Sequence, residues 1–350
     1  MPSPDATTAA PPPEGHGPSG HAVQPVPRWQ RELAEAVRDP DELCRLLGLD
    51  PALATAARVA AGDFPLLVPR GFVARMRPGD PHDPLLLQVL PRPAERERVA
   101  GYSADPLEER RALAAPGLVQ KYAGRALLLA TGACAINCRY CFRREFPYAE
   151  HGATQAGVEA ALRALESDDT IHEAILSGGD PLLLDDERLA RLVARLEALP
   201  HVHRLRIHSR LPIVLPTRVT DALAATLART RLTCVVVVHA NHPAELDAAV
   251  AAAIDRLAAA RPLLLNQAVL LRGVNDSVAV LRELSERLVD LGIQPYYLHL
   301  LDRVRGTAAF EVDEATAKDL HDRLRAVLPG YAVPRLAREV PGEPAKVWLG

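Results

Sequence analysis

The chain contains 350 residues, of which 48% are hydrophobic and 24% are charged. This length allows about two domains, although a single α/β barrel can take up most of it. The 41 Lys and Arg residues face 44 Asp and Glu residues, which gives a net charge of −3. A dedicated nucleic-acid-binding protein normally has a basic excess, so the balance argues against that class. No apolar run reaches the ~18 residues that a membrane span requires, and the N-terminus lacks the pattern of a secretory signal.

Two segments precede the part of the chain that carries the motifs. Residues 1–27 are rich in Pro, Ala, Gly and Ser and nearly lack large apolar side chains. Such a segment buries too little surface to offset the entropy lost on ordering, so we expect a disordered tail. From Trp29 onward, apolar residues such as Leu33 and Val37 fall at helical spacing. We therefore predict an N-terminal helical accessory region over residues 28–120.

From Arg125 onward, short apolar runs alternate with longer segments whose apolar residues have helical spacing. The runs are 126–131, 173–178, 205–209, 233–240, 263–271 and 295–301. Strands separated by helices imply right-handed βαβ crossovers and a parallel sheet. A doubly wound sheet has the same alternation, and spacing alone does not separate the two. We predict an α/β fold in which residues 121–305 form an incomplete parallel (β/α)6 barrel, followed by a C-terminal segment over residues 306–350.

Polar residues lie where these predicted strands end. Cys134 follows the first run, Ser177 and Asp180 end the second, and His239 ends the fourth. Asp302 closes the sixth. Each residue alone could be a turn or helix-cap residue. Because the carboxyl ends of parallel barrel strands meet at one face, the whole set predicts a reactive mouth.

Three of the five cysteines, Cys134, Cys138 and Cys141, form a C-x3-C-x2-C run. A four-iron cluster normally takes four thiolates, so three would leave one iron open to another ligand. The alternatives are a zinc site completed by a histidine, or three buried structural cysteines. Zinc sites usually add a second cysteine pair or spaced histidines, whereas Cys44 and Cys234 are isolated. The run therefore favours an iron–sulfur cluster.

This spacing, with the aromatic Tyr140 before the last cysteine, resembles the signature of the radical S-adenosylmethionine (SAM) superfamily. Further motifs, in chain order, are similar to those of the lysine 2,3-aminomutase family: KYAGRALLL, CRYCFRREFPY, LSGGDPL, RIHSRLPIVLPTR, HANHPAE, LLNQAVLLRGVND, YYLHLLD and PGEPAK. Several ordered motifs are far more specific than any one of them. CRYCFRREFPYAE and PGEPAK most resemble the short branch that supplies (R)-β-lysine for modification of elongation factor P. The resemblance also implies a radical SAM barrel.

The resemblance implies three cofactors: a [4Fe-4S] cluster on the three cysteines, SAM on its open iron, and pyridoxal 5′-phosphate (PLP). Lys346 matches the lysine that forms a Schiff base with PLP, and Lys121 and Arg125 match positions near the PLP phosphate. The family commonly has arginine at the first of these, and lysine keeps the charge but loses the two-pronged fork. The positions assigned to SAM are Ser177, Gly178, Gly179, Asp180, His239 and Gln267.

The resemblance also implies the substrate contacts. Arg143 matches the arginine that binds the substrate carboxylate through a two-pronged salt bridge. Asp302 matches a carboxylate that receives the lysine ε-ammonium. Glu339 stands where the family has a second aspartate, so that its carboxylate reaches one methylene further. These positions imply an isomerase that converts L-α-lysine into β-lysine.

For the short branch, the implied partners are a lysyl-tRNA-synthetase-like ligase acting on elongation factor P and a one-electron reductant of the flavodoxin or ferredoxin type. We expect neither a nucleic-acid nor a membrane partner. An oxygen-sensitive cluster implies a reducing cytoplasm. Three alternatives stay open: an aminomutase of lysine catabolism or of another amino acid, a metal-binding protein without catalysis, and a radical SAM enzyme without PLP.

Overall fold

A computed structural model describes residues 26–350, so the predicted tail lies almost entirely outside the described residues. The helices are α1 (Arg28–Ala34), α2 (Pro40–Leu47), α3 (Pro51–Ala61), α4 (Arg70–Val73), α5 (Pro84–Leu87), α6 (Gln155–Ser167), α7 (Asp186–Glu197), α8 (Leu211–Val214), α9 (Asp221–Arg229), α10 (Ala248–Ala258), α11 (Val278–Asp290) and α12 (Glu314–Val327). The strands are β1 (Leu113–Ala115), β2 (Leu118–Tyr122), β3 (Arg125–Thr131), β4 (Glu173–Gly178), β5 (Arg204–Ser209), β6 (Thr233–Val238), β7 (Leu263–Val269), β8 (Gln294–His299), β9 (Arg335–Arg338) and β10 (Val347–Trp348).

These ten strands form one sheet in chain order. Strands β3 to β9 run parallel to one another, whereas β1–β2, β2–β3 and β9–β10 are antiparallel pairs. The six predicted strands are β3 to β8, which confirms the incomplete parallel barrel. The structure adds β9 as a seventh parallel strand. Its four residues contain only two buried ones, too short an apolar run to be predicted as a strand.

Burial explains the two kinds of element. After the exposed Thr233, every residue of β6 is buried, as expected for a parallel strand covered on both faces. Helix α7 buries Leu189, Leu192, Val193 and Leu196, an apolar stripe at helical spacing. Continuously buried strands therefore form the inner layer of the barrel, and helices with one apolar stripe form the outer layer.

The two ends of the sheet approach each other at the open side of the barrel. Lys121 lies on β2 and Glu339 directly follows β9, yet the Lys121 Nζ and Glu339 Oε1 atoms are 2.6 Å apart. Strands that are seven positions apart in the sheet can meet in this way only if the sheet curls. The open side of the barrel is therefore bridged by charged side chains.

The N-terminal layer shares its core with the barrel. Leu43 and Phe72, from α2 and α4, belong to the same buried cluster as Leu176 and Val236 of the sheet. The layer contains α1 to α5, but the predicted boundary at residues 120 and 121 falls inside β2, since the β1–β2 hairpin pairs with β3. The division into domains stays a prediction. Within residues 26–350, no helix has the length and apolar character needed to cross a bilayer.

Candidate active site

The loop over residues 132–141 carries the three cysteines and is called the cysteine loop. It directly follows β3 and is fixed to the end of β4 by backbone hydrogen bonds. The Gly179 amide donates to the Thr131 carbonyl at 2.7 Å, and the Asp180 amide donates to the Ala133 carbonyl at 2.8 Å. A Cβ atom at Gly179 would overlap the Ala133 carbonyl group. Gly178 has a φ of +118°, which only glycine adopts readily. The two glycines therefore allow the cysteine loop itself to approach β4.

The sulfur donors fit an iron–sulfur cluster. Burial is the main cause, and the neighbouring Cys141 the second, that raises the pKa of Cys134 well above its usual value. Burial and, to a smaller extent, Cys138 raise the pKa of Cys141 to about 11. Such thiols need a nearby cationic metal centre to ionise. No three His, Cys, Asp or Glu side chains within residues 26–350 converge on one ion. A cluster binds each thiolate through a different iron, so it does not require the convergence that a zinc ion requires.

The residues assigned to SAM lie on adjacent strand ends. His239, just after β6, and Gln267 of β7 are brought together, with their Nε2 atoms 3.4 Å apart. Burial, followed by the charges of Arg210 and Arg143, lowers the pKa of His239 to about 3, so its imidazole is neutral. Ser177 Oγ accepts a 3.1 Å hydrogen bond from Arg143 Nη1. These contacts place Ser177, His239 and Gln267 at the mouth, while their binding of SAM stays a prediction.

Asp180 serves the architecture in this structure. Its carboxylate accepts hydrogen bonds from Ser209 Oγ at 2.7 Å and from the Arg210 amide at 2.8 Å. Burial raises its pKa to about 6 against the opposing effect of these donors. The side chain therefore ties the end of β4 to the end of β5.

The residues assigned to PLP and substrate neutralise one another. Glu339 contacts Lys346 Nζ at 2.5 Å and Lys121 Nζ at 2.6 Å. Burial alone would raise the pKa of Glu339, but the two ammonium groups outweigh it and lower the pKa to about 2. Lys346 reaches Glu339 because the strand that follows it, β10, pairs with β9, which ends just before Glu339. The candidate PLP lysine is thus held at the mouth.

Glu109 extends this chain of charges and was not identified from the sequence. Its carboxylate forms a two-pronged ion pair with Arg143, with N–O distances of 2.6 and 2.8 Å. Its Oε1 atom also lies 3.0 Å from Lys121 Nζ. Glu109 is buried, whereas the adjacent Glu108 is exposed. Nothing in the charged run around them distinguishes the two glutamates, so no sequence pattern pointed to Glu109.

Asp302 completes the carboxylate set. It lies beyond the end of β8, and burial, followed by the nearby Glu339 carboxylate, raises its pKa to about 7. The ammonium groups of Lys346 and Lys121 act in the opposite direction. One carboxylate of the pair is therefore firmly ionised and the other titrates near neutrality. An additional cation between them would stabilise the ionised form of both.

Arg125 is the one predicted site residue that the structure sets apart. It begins β3, at the opposite end of the strand from the cysteine loop, and its guanidinium lies 4.6 Å from the centre of the Tyr122 ring. Within residues 26–350 it makes no side-chain hydrogen bond to another predicted site residue.

A cavity of about 280 Å³ opens beside Lys121, Tyr122 and Glu339.

Comparison with known proteins identifies the class. Residues 128–284 match the radical SAM superfamily, a region that contains all three cysteines, most of β3, and β4 to β7. This part of the chain is therefore a radical SAM domain.

Curated relatives identify the family. The chain is 49% identical to the L-lysine 2,3-aminomutase of Escherichia coli (strain K12), over 92% of this chain and 94% of that protein. It is 44% identical to the L-lysine 2,3-aminomutase of Haemophilus influenzae, over 94% and 97% of the two chains. It is 32% identical to the L-lysine 2,3-aminomutase of Clostridium subterminale, over 90% of this chain and 76% of the relative. The chain belongs to the lysine 2,3-aminomutase family.

Substitution of Gly179 by alanine tests how the cysteine loop is held. Because the new Cβ would overlap Ala133, we expect Gly179→Ala to lower the free energy of unfolding by about 1–3 kcal/mol and to reduce the iron bound after anaerobic reconstitution. Gly71→Ala is the control, since no atom lies within 4 Å of its added Cβ. Urea unfolding and iron analysis provide the readouts. Unchanged values for Gly179→Ala would show that the contact does not constrain the loop.

The raised pKa of Asp302 predicts a pH dependence of stability. With a pKa of about 7 when folded and about 3.9 when unfolded, Asp302 binds more protons in the folded chain between these values. Its contribution to stability is therefore lost as the pH rises through this window, by on the order of 1 kcal/mol per pH unit.

We expect Asp302→Asn to remove this slope in urea unfolding measured from pH 4.5 to pH 7. Replacement of the exposed Asp276 by asparagine should leave the slope as it is in the wild type. The lowered pKa of Glu339 acts with the opposite sign, and its contribution is lost as the pH falls through about 2, outside this range. Parallel curves for the wild type and Asp302→Asn would contradict the assignment.

Proposed function

We propose that this protein is an isomerase that moves the α-amino group of L-lysine to carbon 3 and releases β-lysine. The observation that carries the proposal is the contact of Lys346 with Glu339 beside Asp302, at the mouth that also holds the cysteine loop. An amine for PLP and two carboxylates for a distal ammonium thus lie together. Family membership, with 49% identity to an L-lysine 2,3-aminomutase, supports the same activity.

The proposed cofactor sites follow from the donors available. Cys134, Cys138 and Cys141 would hold a [4Fe-4S] cluster with one open iron, and His239 and Gln267 would contact SAM beside it. Lys346 would bind the aldehyde carbon of PLP, and Lys121 would stabilise the phosphate. When bound, cluster and SAM supply a carbon-centred radical, and PLP supplies the π system through which the amino nitrogen moves.

The ion pairs of the mouth suggest how substrate binds. The Glu109 carboxylate already occupies both prongs of Arg143, in the geometry that a substrate α-carboxylate would adopt. Lysine would therefore replace Glu109 at Arg143. Lys346, once engaged with PLP, would no longer offer a free ammonium to Glu339, and the ε-ammonium of lysine would take its place. Binding would thus exchange internal ion pairs for equivalent contacts with ligands.

This arrangement predicts a preference for lysine over other amino acids. Asp302 and Glu339 would attract a distal ammonium and repel the distal carboxylate of glutamate, by a few kcal/mol at intermediate dielectric. An alanine side chain would leave both carboxylates without a new partner. The role of the protein in the migration is to position the lysine and to keep water from the radical.

We further propose that the product is (R)-β-lysine used to modify elongation factor P. The high identity to the Escherichia coli and Haemophilus influenzae relatives, with 94% and 97% of their lengths covered, supports the short branch. The Clostridium subterminale relative is less similar, and only 76% of its length is covered. An aminomutase of lysine catabolism is therefore the second candidate function. A lysyl-tRNA-synthetase-like ligase would use the product, a flavodoxin or ferredoxin would supply the electron, and both would meet the enzyme in the cytoplasm.

Anaerobic incubation with L-lysine, SAM, PLP and dithionite, followed by chiral amine analysis, tests the activity. We expect β-lysine from L-lysine and no β-amino acid from L-glutamate or L-alanine. Lys346→Ala should lose both the product and the Schiff-base absorption of bound PLP, whereas Lys318→Ala, at an exposed ion pair, should retain both. If the absorption persists in Lys346→Ala, another lysine holds PLP. If β-lysine is absent although cluster and PLP are bound, the proposed activity is wrong.

Glu109→Gln tests the exchange at Arg143. Because glutamine is uncharged and offers one acceptor oxygen where glutamate offers two, it competes less for the arginine fork. We therefore expect L-lysine to bind at least threefold more tightly to PLP-loaded Glu109→Gln than to the wild type, measured from the shift of Tm with lysine concentration without SAM. The ligand-free variant should be less stable, since two buried cations lose a partner. Glu159→Gln, at a surface ion pair, is the control. Weaker lysine binding would mean that Glu109 orients Arg143 and is not replaced by substrate.

A further inference from the structure

One buried guanidinium touches the cysteine loop directly. Arg210 follows the last residue of β5, and its Nη1 atom lies 2.7 Å from the Sγ atom of Cys138. Within residues 26–350, no other side chain donates a hydrogen bond to the sulfur of Cys134, Cys138 or Cys141. Arg210 is 6% exposed, so solvent does little to screen its charge from this sulfur.

The position of Arg210 is fixed from several sides. Its Nη2 atom donates to Gln88 Oε1 at 2.7 Å and to Glu245 Oε2 at 3.1 Å. Its guanidinium lies 5.6 Å from the centre of the Phe72 ring and 5.5 Å from that of Tyr140. The fully buried Glu245 also accepts from the Asn241 and His242 amides. The guanidinium is therefore held rigidly against the sulfur.

Another buried arginine shows what a purely structural role requires. Arg218 is fully buried, and its guanidinium donates to the carbonyl groups of Leu182 and Leu184 and to the Asp186 carboxylate. All of its acceptors are oxygen atoms. Arg210 instead directs one nitrogen to a cysteine sulfur, and its Nε atom is buried without a partner among residues 26–350. Unlike Arg218, Arg210 therefore does not direct all of its N–H donors to oxygen acceptors of the fold.

The electrostatic consequence has a definite sign. Arginine remains protonated in proteins, and reduction of a cluster held by Cys138 adds one negative charge beside it. A fixed positive charge stabilises the reduced state more than the oxidised state. Net charge and hydrogen bonds to the sulfurs are among the main determinants of iron–sulfur reduction potentials.

We propose that Arg210 is a positioning residue that raises the reduction potential of the cluster through Cys138, and that Glu245 holds it there while offsetting part of its charge. This inference rests on the proposed ligation of the cluster by the three cysteines. Arg210 thereby makes the one-electron reduction that starts the reaction easier. Iron content reports the ligation and the reduction potential reports the role of Arg210, so the two claims fail separately.

The test uses the full chain, reconstituted anaerobically with iron and sulfide, without PLP, SAM or lysine. In Arg210→Met, we expect the wild-type iron content and a ratio of reduced to oxidised cluster, measured by electron paramagnetic resonance at a fixed potential, that is about tenfold smaller. For a one-electron couple this corresponds to a potential lower by about 59 mV. Arg210→Lys, which retains the charge, should recover most of the difference. Arg195→Gln removes an exposed arginine charge and should match the wild type.

Two results would overturn the proposal. In one, Arg210→Met retains its iron and titrates like the wild type. In the other, Arg210→Lys shows the full shift of Arg210→Met, which would exclude charge as the cause. If Arg210→Met does not assemble a cluster, Glu245→Gln decides the question. Loss of that negative charge should increase the ratio of reduced to oxidised cluster about threefold, and an unchanged or smaller ratio would contradict the proposal. The iron content of Cys138→Ala, measured beside these variants, tests the ligation itself, and we expect this variant to bind no iron.

Discussion

The contact of Glu339 with two lysines is the interaction on which the site depends. Lys121 approaches from the first part of the sheet and Lys346 from the last, so one carboxylate joins the two ends of an open barrel. Without it, two ammonium groups would face each other in a partly buried space. Removing one partner of a buried ion pair typically costs about 3–5 kcal/mol. The same contact therefore shapes the barrel and holds the amine that we assign to PLP.

The charges of the mouth are arranged as a continuous series. From Arg143 through Glu109, Lys121 and Glu339 to Lys346, each group contacts one of opposite sign. Arg143, Lys121, Glu339 and Lys346, the members of this series assigned to a ligand, thus already have internal partners. This satisfies the buried charges before any ligand binds. It also means that ligands bind by replacement, so affinity reflects the difference between two sets of ion pairs and not the full strength of either.

The amino-acid sequence predicts those features that arise from local pattern. The six apolar runs became β3 to β8 because each is long enough to read as a buried strand. The spacing of the three cysteines is likewise local and predicts the cluster. The match of residues 128–284 confirms the predicted resemblance to the radical SAM superfamily. Strand β9 has too few buried residues to be predicted.

Long-range contacts could not be read in the same way. Glu109 lies 34 residues from Arg143 along the chain, and Arg210 lies 72 residues from Cys138. Which of several glutamates or arginines makes such a contact depends on how the strands curl. Gly178 and Gly179 were assigned to SAM from the sequence, and the structure shows that they let the cysteine loop lie close to β4. Their binding of SAM stays a prediction.

Comparison of L-lysine with L-norleucine, which has the same chain length but no ε-ammonium, tests the charge exchange most directly. Both would be titrated into PLP-loaded wild-type protein and into Asp302→Asn and Glu339→Gln. We expect the wild type to bind norleucine at least tenfold more weakly than lysine, a difference of about 1.4 kcal/mol, and we expect this difference to shrink in both variants. Equal affinities in the wild type, or a difference that survives in both variants, would show that these carboxylates do not receive the ε-ammonium.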